Sequence, residues 1–357
     1  MPRDDVKDGA PSGRGHVLVL PSWYPSPDAP RHGTFFRDLA HALHDAGYRV
    51  GVVAPAVAGL TKRRRMNRPG LRTTRDLDGA IATYRRVGLP LLPNYPQRNA
   101  RAWLRTGRAL FDAYVRDCGM PDLIHAHSAL YAGVLAHRLK RRYGVPYAVT
   151  EHQSAFIRGR LRRWTRRWVA DAFAGADARL VVSAQLGAVL TAQFTDAFCP
   201  WQVVPNTLDD LFEGTLEDRP PRDPGTFSIL CVGTFRRLKA QDKLIEAFAR
   251  SYPSDPTARL RLAGEGATEA ACRDLAHRLA VADRVDFVGG LDRQAVRREM
   301  LAADLLVLPS YSETFGVVII EALASGTPVV ATRCGGTDGL VDDGNGVARR
   351  HQRERDR

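Results

Sequence analysis

The sequence predicts an α/β protein made of two doubly wound domains, each a parallel sheet wrapped by helices. Two observations carry that prediction. Apolar runs of strand length alternate with amphipathic stretches of helix length along the chain, the rhythm of repeated βα units. The rhythm breaks once, at EGTLEDRPPRDPGT (213–226), which is charged, proline-rich and aperiodic, and which reads as a linker. A length of 357 residues, 44% of them hydrophobic, suits two ordinary domains with their own cores better than one.

The elements follow in order. Residues 1–15, MPRDDVKDGAPSGRG, lack the apolar segment of a signal peptide and read as a disordered lead-in. The first domain, 16–212, opens with the strand HVLVL (16–20) and a helix from Thr34 to Ala46. RVGVVAP (49–55), DLIHAH (122–127), a helix near 129–143, PYAVTEH (146–152), ARLVVS (178–183) and QVVPN (202–206) continue it. The second domain, 227–348, restarts with SILCVG (228–233), ARLRLAG (258–264), RVDFVG (284–289), DLLVLPS (304–310) and TPVVAT (327–332). Helices such as 240–250 and 268–281 lie between these strands. The last nine residues, RRHQRERDR (349–357), hold no apolar side chain and read as a disordered tail.

Composition excludes several functions. No run approaches the ~18–20 apolar residues of a membrane helix. The five cysteines form no CxxC pair and the ten histidines no HExxH pattern, so neither a disulfide framework nor a metal site is expected and a cytoplasmic location is. The net charge of +13 is almost all arginine, since only five lysines occur, and it predicts no nucleic-acid partner. Two basic clusters stand out, TKRRRMNR (61–68) and IRGRLRRWTRRWVA (157–170). In the second, Ile157, Leu161, Trp164 and Trp168 recur at helical spacing. Two readings stay open for it: a helix docked on its own domain, or one lying peripherally on an anionic inner membrane face.

The densest chemistry lies in DLLVLPSYSETFGVVIIEALASGTPVVATRCGGT (304–337). A buried strand ends at Pro309, a polar loop holds Glu313, and an apolar helix begins near Gly316. A helix start offers unpaired N–H groups to an anion. Glu321 lies five residues into the helix, a rise of about 7–8 Å, the reach from a diphosphate to its ribose. Pairing of Glu321 with a neighbouring arginine or backbone is the alternative. Upstream, a strand ends at Gly233 and a loop carries Arg236, Arg237 and Lys239, cations suited to the same diphosphate. In the first domain, Gly33 sits at a loop–helix junction where backbone can approach a phosphate or sugar, and His152 follows its strand at the carboxyl end.

These segments together resemble the retaining glycosyltransferases of family 4, in their polysaccharide-biosynthesis-like group. Glu313 and Glu321 match the Glu-x7-Glu pattern, followed by FG at Phe315–Gly316, EALASGTPVVAT, CGG (334–336) and, upstream, GEG (264–266). LPSWYPSPDAPRHGTFFRDLAHAL (20–43), HAHSALYAG (125–133), VTEHQSAF (149–156) and VVPN (203–206) extend the match through the first half. The resemblance implies the GT-B fold, two Rossmann-like domains facing across a cleft, with the acceptor in the first and a UDP- or GDP-sugar in the second. It implies transfer of a hexose-type sugar with retention and without a metal. Glu313 and His152 would contact the donor sugar, Glu321 the ribose hydroxyls, and Lys239 with Gly233 the leaving diphosphate. Phe315, Gly316 and Val317 would shape the phosphate end.

Two departures affect these roles. Thr234 replaces the usual arginine, whose place Arg236 or Arg237 can take, and Thr314 replaces a usual glycine. Family members also continue past this point with helices that finish the second domain. Their lack beyond residue 348 implies an exposed last strand and marginal stability. The acceptor, lipid-linked or small, is not specified. A weakly binding partner subunit without activity, or a GT-B enzyme of another reaction such as a nucleotide-sugar epimerase, stays open.

Overall fold

The computed structural model describes residues 14–26, 29–57, 73–88, 96–159, 161–194, 200–213, 219–220, 225–342 and 344–350. The predicted lead-in to residue 13, the TKRRRMNR cluster, most of the predicted linker and residues 351–357 lie outside them. The chain divides into two compact α/β units, Met1–Thr207 and Leu208–Arg357.

The first unit is built on eight strands: β1 (His16–Pro21), β2 (Arg49–Val57), β3 (Thr74–Asp78), β4 (Ile81–Gly88), β5 (Leu123–His127), β6 (Tyr147–Glu151), β7 (Ala178–Val181) and β8 (Gln202–Val203). They lie in the order β3-β4-β2-β1-β5-β6-β7-β8, all parallel except β3 against β4. Strand β1, HVLVLP, is buried along its whole length, as a central parallel strand covered on both faces must be. The helix Thr34–Asp45 follows it closely as predicted.

Two features escaped the sequence reading. The β3–β4 pair was not seen because β3, TRDLD, is an exposed edge with one apolar residue, Leu77, itself 59% exposed. The helix Pro96–Cys118 hides its period under arginines. Its buried face of Trp103, Leu104, Leu110, Phe111 and Tyr114 packs onto β2 and β4.

The basic stretch 157–170 is not one helix. It breaks between Ser154–Ile157 and Arg163–Ala174. The second helix buries Thr165, Val169, Ala172 and Phe173, whereas Trp164 and Trp168 sit at the margin edge to face, 5.4 Å apart, with Arg138 over the Trp168 ring. The docked face is therefore offset from the tryptophan stripe that the spacing suggested. No described helix is long and apolar enough to cross a membrane.

The second unit holds β9 (Phe227–Val232), β10 (Ala258–Ala263), β11 (Val285–Gly289), β12 (Leu305–Leu308), β13 (Val329–Arg333) and β14 (Gly346–Arg350). Their order is β11-β10-β9-β12-β13-β14, wholly parallel. This is the doubly wound order of a dinucleotide-binding sheet, with its switch point between β9 and β12. Two differences from the sequence reading concern its ends. Leu208, Leu211 and Phe212, assigned to the first domain, pack into the second unit's core, because Phe212 is buried and Arg293 lies over its ring. Arg349 and Arg350, assigned to the tail, complete β14. An edge strand needs only backbone partners on one side, and β14 pairs from Gly346 to Arg350 with Val329 to Arg333. Among the described residues, the edge of the sheet is thus β14 rather than β13.

Candidate functional site

In an open parallel sheet, ligands bind outside the carboxyl ends of the strands at the switch point. In the second unit, that place is formed by the loops after β9 and β12. The β9 loop runs through Gly233 and Thr234 to a single turn, Arg237–Lys239. The β12 loop runs from Pro309 to Gly316. The Tyr311 N–H donates to the Leu238 carbonyl at 2.9 Å, clamping one loop to the other.

This clamp brings two predicted residues into contact. Lys239 Nζ donates to Glu313 Oε1 at 2.5 Å, and the hydroxyl of buried Ser310 donates to the same oxygen at 2.7 Å. Both charged side chains are largely withdrawn from solvent, with 27% and 12% of their surfaces exposed. Gly233 lies alongside the aliphatic stem of Lys239, where an added Cβ would stand 3.8 Å from it. Arg236 and Arg237 are exposed and pair with no carboxylate among the described residues, so their charge is available to an anion.

The helix Val317–Ala324 starts from Gly316, which holds φ 90°, a left-handed conformation that favours glycine. No side chain caps this helix, so its first N–H groups point out of the loop unclaimed by a cap. Phe315 is buried beneath it, and Val317 opens its first turn half-buried. Glu321 lies one turn further along. Its carboxylate is 3.8 Å from the Arg293 guanidinium, which also meets Asp209 at 3.2 Å. The structure therefore gives Glu321 the arginine neighbour that was the alternative to a ribose contact. Glu313 and Glu321 have different cationic partners, Lys239 and Arg293.

The remaining two predicted residues, Gly33 and His152, belong to the first unit, near its own switch point between β1 and β5. Gly33 precedes the helix Thr34–Asp45 at φ 86°, and an added Cβ would stand 2.8 Å from the Trp23 ring. Its bareness admits Trp23, a packing reason beside any ligand role. His152 follows β6, as the sequence placed it. Its Nε2 lies 3.1 Å from His127 Nδ1, and Phe35 and Phe36 pack on its ring. His125 joins the group, 4.2 Å from the His127 ring, with Nε2 2.7 Å from Thr150 Oγ1. Burial lowers all three imidazoles: His125 to about 4, His152 to about 3, and His127 well below its ordinary value, the last two also by histidine neighbours. They are neutral at physiological pH and can exchange hydrogen bonds but carry no charge.

Sequence reasoning missed Glu151. Fully buried at the end of β6, it accepts N–H bonds from Ala129 at 2.8 Å, His152 at 2.8 Å and Gln153 at 2.7 Å. One carboxylate thus holds the loop after β5 and the residue that follows β6. Burial pushes it up to about 7, against the pull of those donors. The signal was the E of VTEH, a carboxylate at the end of the strand YAVTE, all of whose residues are buried. Ser310 and Arg293 were likewise unnamed. Among the described residues, no three histidine, cysteine or acidic side chains are placed to hold a metal ion.

Comparison with known proteins follows the same division. A family profile described as Glycosyltransferase Family 4 matches residues 32–210, and one described as Glycosyl transferases group 1 matches residues 215–350. A D-inositol 3-phosphate glycosyltransferase of Catenulispora acidiphila is 30% identical over 340 residues, 89% of this chain and 77% of that one. A glycogen synthase of Mycobacterium tuberculosis is 30% identical over 249 residues, 68% of this chain and 59% of that one. Among solved structures, a sucrose-phosphate synthase from Thermosynechococcus elongatus superposes with a TM-score of 0.74 at 25% identity, over 94% of this chain and 86% of that one. An Anabaena protein solved with UDP and glucose has the same fold, with a TM-score of 0.64 at 20% identity over 95% and 86% of the two chains.

Proposed function

This chain belongs to glycosyltransferase family 4, and from that premise we propose that it moves a hexose-type sugar from a UDP- or GDP-linked donor to an acceptor hydroxyl, with retention at the anomeric carbon. The observation that carries the reading is the Lys239–Glu313 pair at the switch point, beside an uncapped helix start. A bound diphosphate competes for Lys239 and takes the first N–H groups of the helix Val317–Ala324. Glu313, released from the lysine, accepts from donor-sugar hydroxyls. Arg236 and Arg237 take the place of the arginine that Thr234 replaces. Glu321, oriented by Arg293, accepts from the ribose.

As the bond to the leaving oxygen breaks, negative charge grows on the diphosphate. Fixed cations and N–H dipoles stabilise that charge more than the ground state, so they act on turnover. No metal is required in this scheme. His152, being neutral, serves as a hydrogen-bond donor to the donor sugar rather than as a cation. Glu151 is committed to three backbone donors, which argues against it as a covalent nucleophile and favours same-face displacement. Synthesis of a surface polysaccharide or glycoconjugate in the cytoplasm fits this chemistry. If the acceptor is lipid-linked, the exposed Arg162, Arg163, Arg166 and Arg167 offer a cationic face to an anionic membrane.

The test is a screen of UDP- and GDP-sugars for nucleotide release by the purified chain, with and without EDTA. Release from one donor, insensitive to EDTA, is expected. Release abolished by EDTA and restored by Mg²⁺ or Mn²⁺ would remove the metal-free scheme. No release from any donor, even with acceptor extracts, would favour the inactive-subunit reading.

A further inference from the structure

The imidazoles at the carboxyl ends of β5 and β6 have fewer hydrogen-bond partners than nitrogens. His127 is wholly buried and His152 is 9% exposed. Both are neutral, so each ring carries one proton for two nitrogens. One nitrogen of each is engaged in the same bond, His127 Nδ1 with His152 Nε2 at 3.1 Å. The other nitrogen of each, His127 Nε2 and His152 Nδ1, is buried with no hydrogen-bond partner among the described residues. The polar groups nearby are committed elsewhere. His125 Nε2 meets Thr150 Oγ1, and Glu151 accepts from three backbone N–H groups. Asn206 stands beside His152 without completing a hydrogen bond. Phe35 and Phe36, which pack on these rings, offer none.

One bond between two neutral rings needs a donor and an acceptor, which leaves two arrangements. If His152 donates from Nε2, the proton of His127 is on its own Nε2, an N–H sealed in the core. If His127 donates from Nδ1, its sealed nitrogen is bare and the proton of His152 is on Nδ1. Orphaned buried N–H groups are rarer than under-satisfied acceptors, so the wholly buried ring is better left with the bare nitrogen. The second arrangement does this. It leaves the unpaired N–H on His152, the less completely buried ring, where an incoming oxygen would satisfy it.

We propose that His127 is a positioning residue: its Nδ1–H holds His152 as the Nδ1–H tautomer, and His152 thereby presents one N–H to a hydroxyl oxygen of the donor sugar. Which nitrogen of an imidazole carries the proton is set by the bond its other nitrogen makes, and here that bond comes from His127. The sugar contact rests on the transferase reading; the tautomer does not.

The test is a long-range ¹H–¹⁵N correlation spectrum of the full chain labelled with ¹⁵N-histidine, in which couplings to the ring protons tell a proton on Nδ1 from one on Nε2. His152→Ala and His127→Asn identify the two rings by the signals they remove. Both rings should carry the proton on Nδ1. His127→Asn, whose amide can donate from the place of Nδ1, should keep the Nδ1–H form of His152, and His127→Phe should lose it. With the donor found by nucleotide release, His127→Phe should lower kcat about tenfold, the scale of one neutral hydrogen bond, and His127→Asn should recover most of that loss. The Kd of UDP or GDP should stay unchanged in both, because neither nucleotide carries the sugar.

A wild-type His152 with its proton on Nε2, an Nδ1–H form that persists in His127→Phe, or undiminished turnover in His127→Phe would each overturn the proposal. All five tryptophans lie in the first unit, so cooperative tryptophan-detected unfolding shows that the variants fold there. If His127→Phe does not fold, the wild-type spectrum still decides the tautomer. The expected tautomer in a chain that releases nucleotide from no donor would overturn the transferase reading and, with it, the sugar contact.

Discussion

Both units place polar side chains at the same topological position, yet they treat charge in opposite ways. At the β9/β12 switch point the groups are charged: Lys239 paired with Glu313, both partly withdrawn from solvent, and Arg236 and Arg237 exposed beside them. Near the β1/β5 switch point they are buried and neutral: His125, His127 and His152, with Glu151 tied to backbone. A site for a diphosphate has to keep cations ionised, by pairing one with a carboxylate or by leaving it in water. A site that only orients neutral hydroxyls tolerates full desolvation, and it gains rigidity from it. The same strand ends can therefore serve either task, and what separates them is how far the loops after the strands cover them.

The sharpest way to break this contrast is to remove the second unit's charge. Lys239→Ala should reduce kcat about 10²- to 10³-fold, the scale of removing one preorganised electrostatic interaction, with a much smaller change in donor Kd. A fall of less than about threefold, roughly 0.6 kcal/mol in barrier, would mean the lysine is only Glu313's partner.

In the first unit the expected loss is of stability rather than chemistry. Glu151→Ala leaves three backbone N–H groups without an acceptor and should cost about 2–4 kcal/mol, read from tryptophan-detected unfolding. Unchanged stability would show that Glu151 does not hold the two loops together.

The pH dependence sharpens the comparison further. The imidazoles have folded values below their ordinary one, so the unfolded chain binds more protons as pH falls below about 6.5; His125 and His152 each cost on the order of 2 kcal/mol by pH 5, and His127 acts in the same direction. Glu151, raised to about 7, acts with the opposite sign, since its stabilisation is present at low pH and fades as pH rises through 7. Three groups against one predict that the first unit weakens on acidification from pH 7 to 5. A tryptophan-detected melting temperature that holds or rises over that range would contradict the neutral-cluster description.

The smallest effects belong to the exposed arginines. Arg236→Ala and Arg237→Ala should each weaken donor binding by about threefold to tenfold, and the effect should shrink at high salt, as screened surface charges do. Unchanged donor affinity in both variants would show that neither arginine stands in for the one that Thr234 replaces.

How much of this was legible in the sequence follows the same physics. Buried parallel strands such as HVLVL and SILCVG announce themselves because both faces are apolar. The loops with Lys239 and Glu313 announce themselves because charge stands next to strand ends. Strands β3 and β14 were hidden: TRDLD and GVARR are edges that need backbone partners, not apolar side chains. The offset of the helix Arg163–Ala174 was hidden because its tryptophans obey the helical period while smaller residues do the packing. Glu151 was hidden because its partners are backbone N–H groups from two loops, which no side-chain pattern records. The partner of Glu321 was foreseen in kind, an arginine, but its identity as Arg293 depended on the packing of another helix.

The central claim is that the nucleotide diphosphate is held by the second unit's charges. Equilibrium binding of UDP and GDP to the wild-type chain, Lys239→Glu and His152→Ala tests it most directly. The account predicts that one nucleotide binds the wild type, that reversing the charge at Lys239 weakens it at least about 100-fold, roughly 2.7 kcal/mol, and that His152→Ala leaves it unchanged because UDP and GDP lack the sugar. Equal nucleotide affinity in wild type and Lys239→Glu, or its loss in His152→Ala, would contradict it.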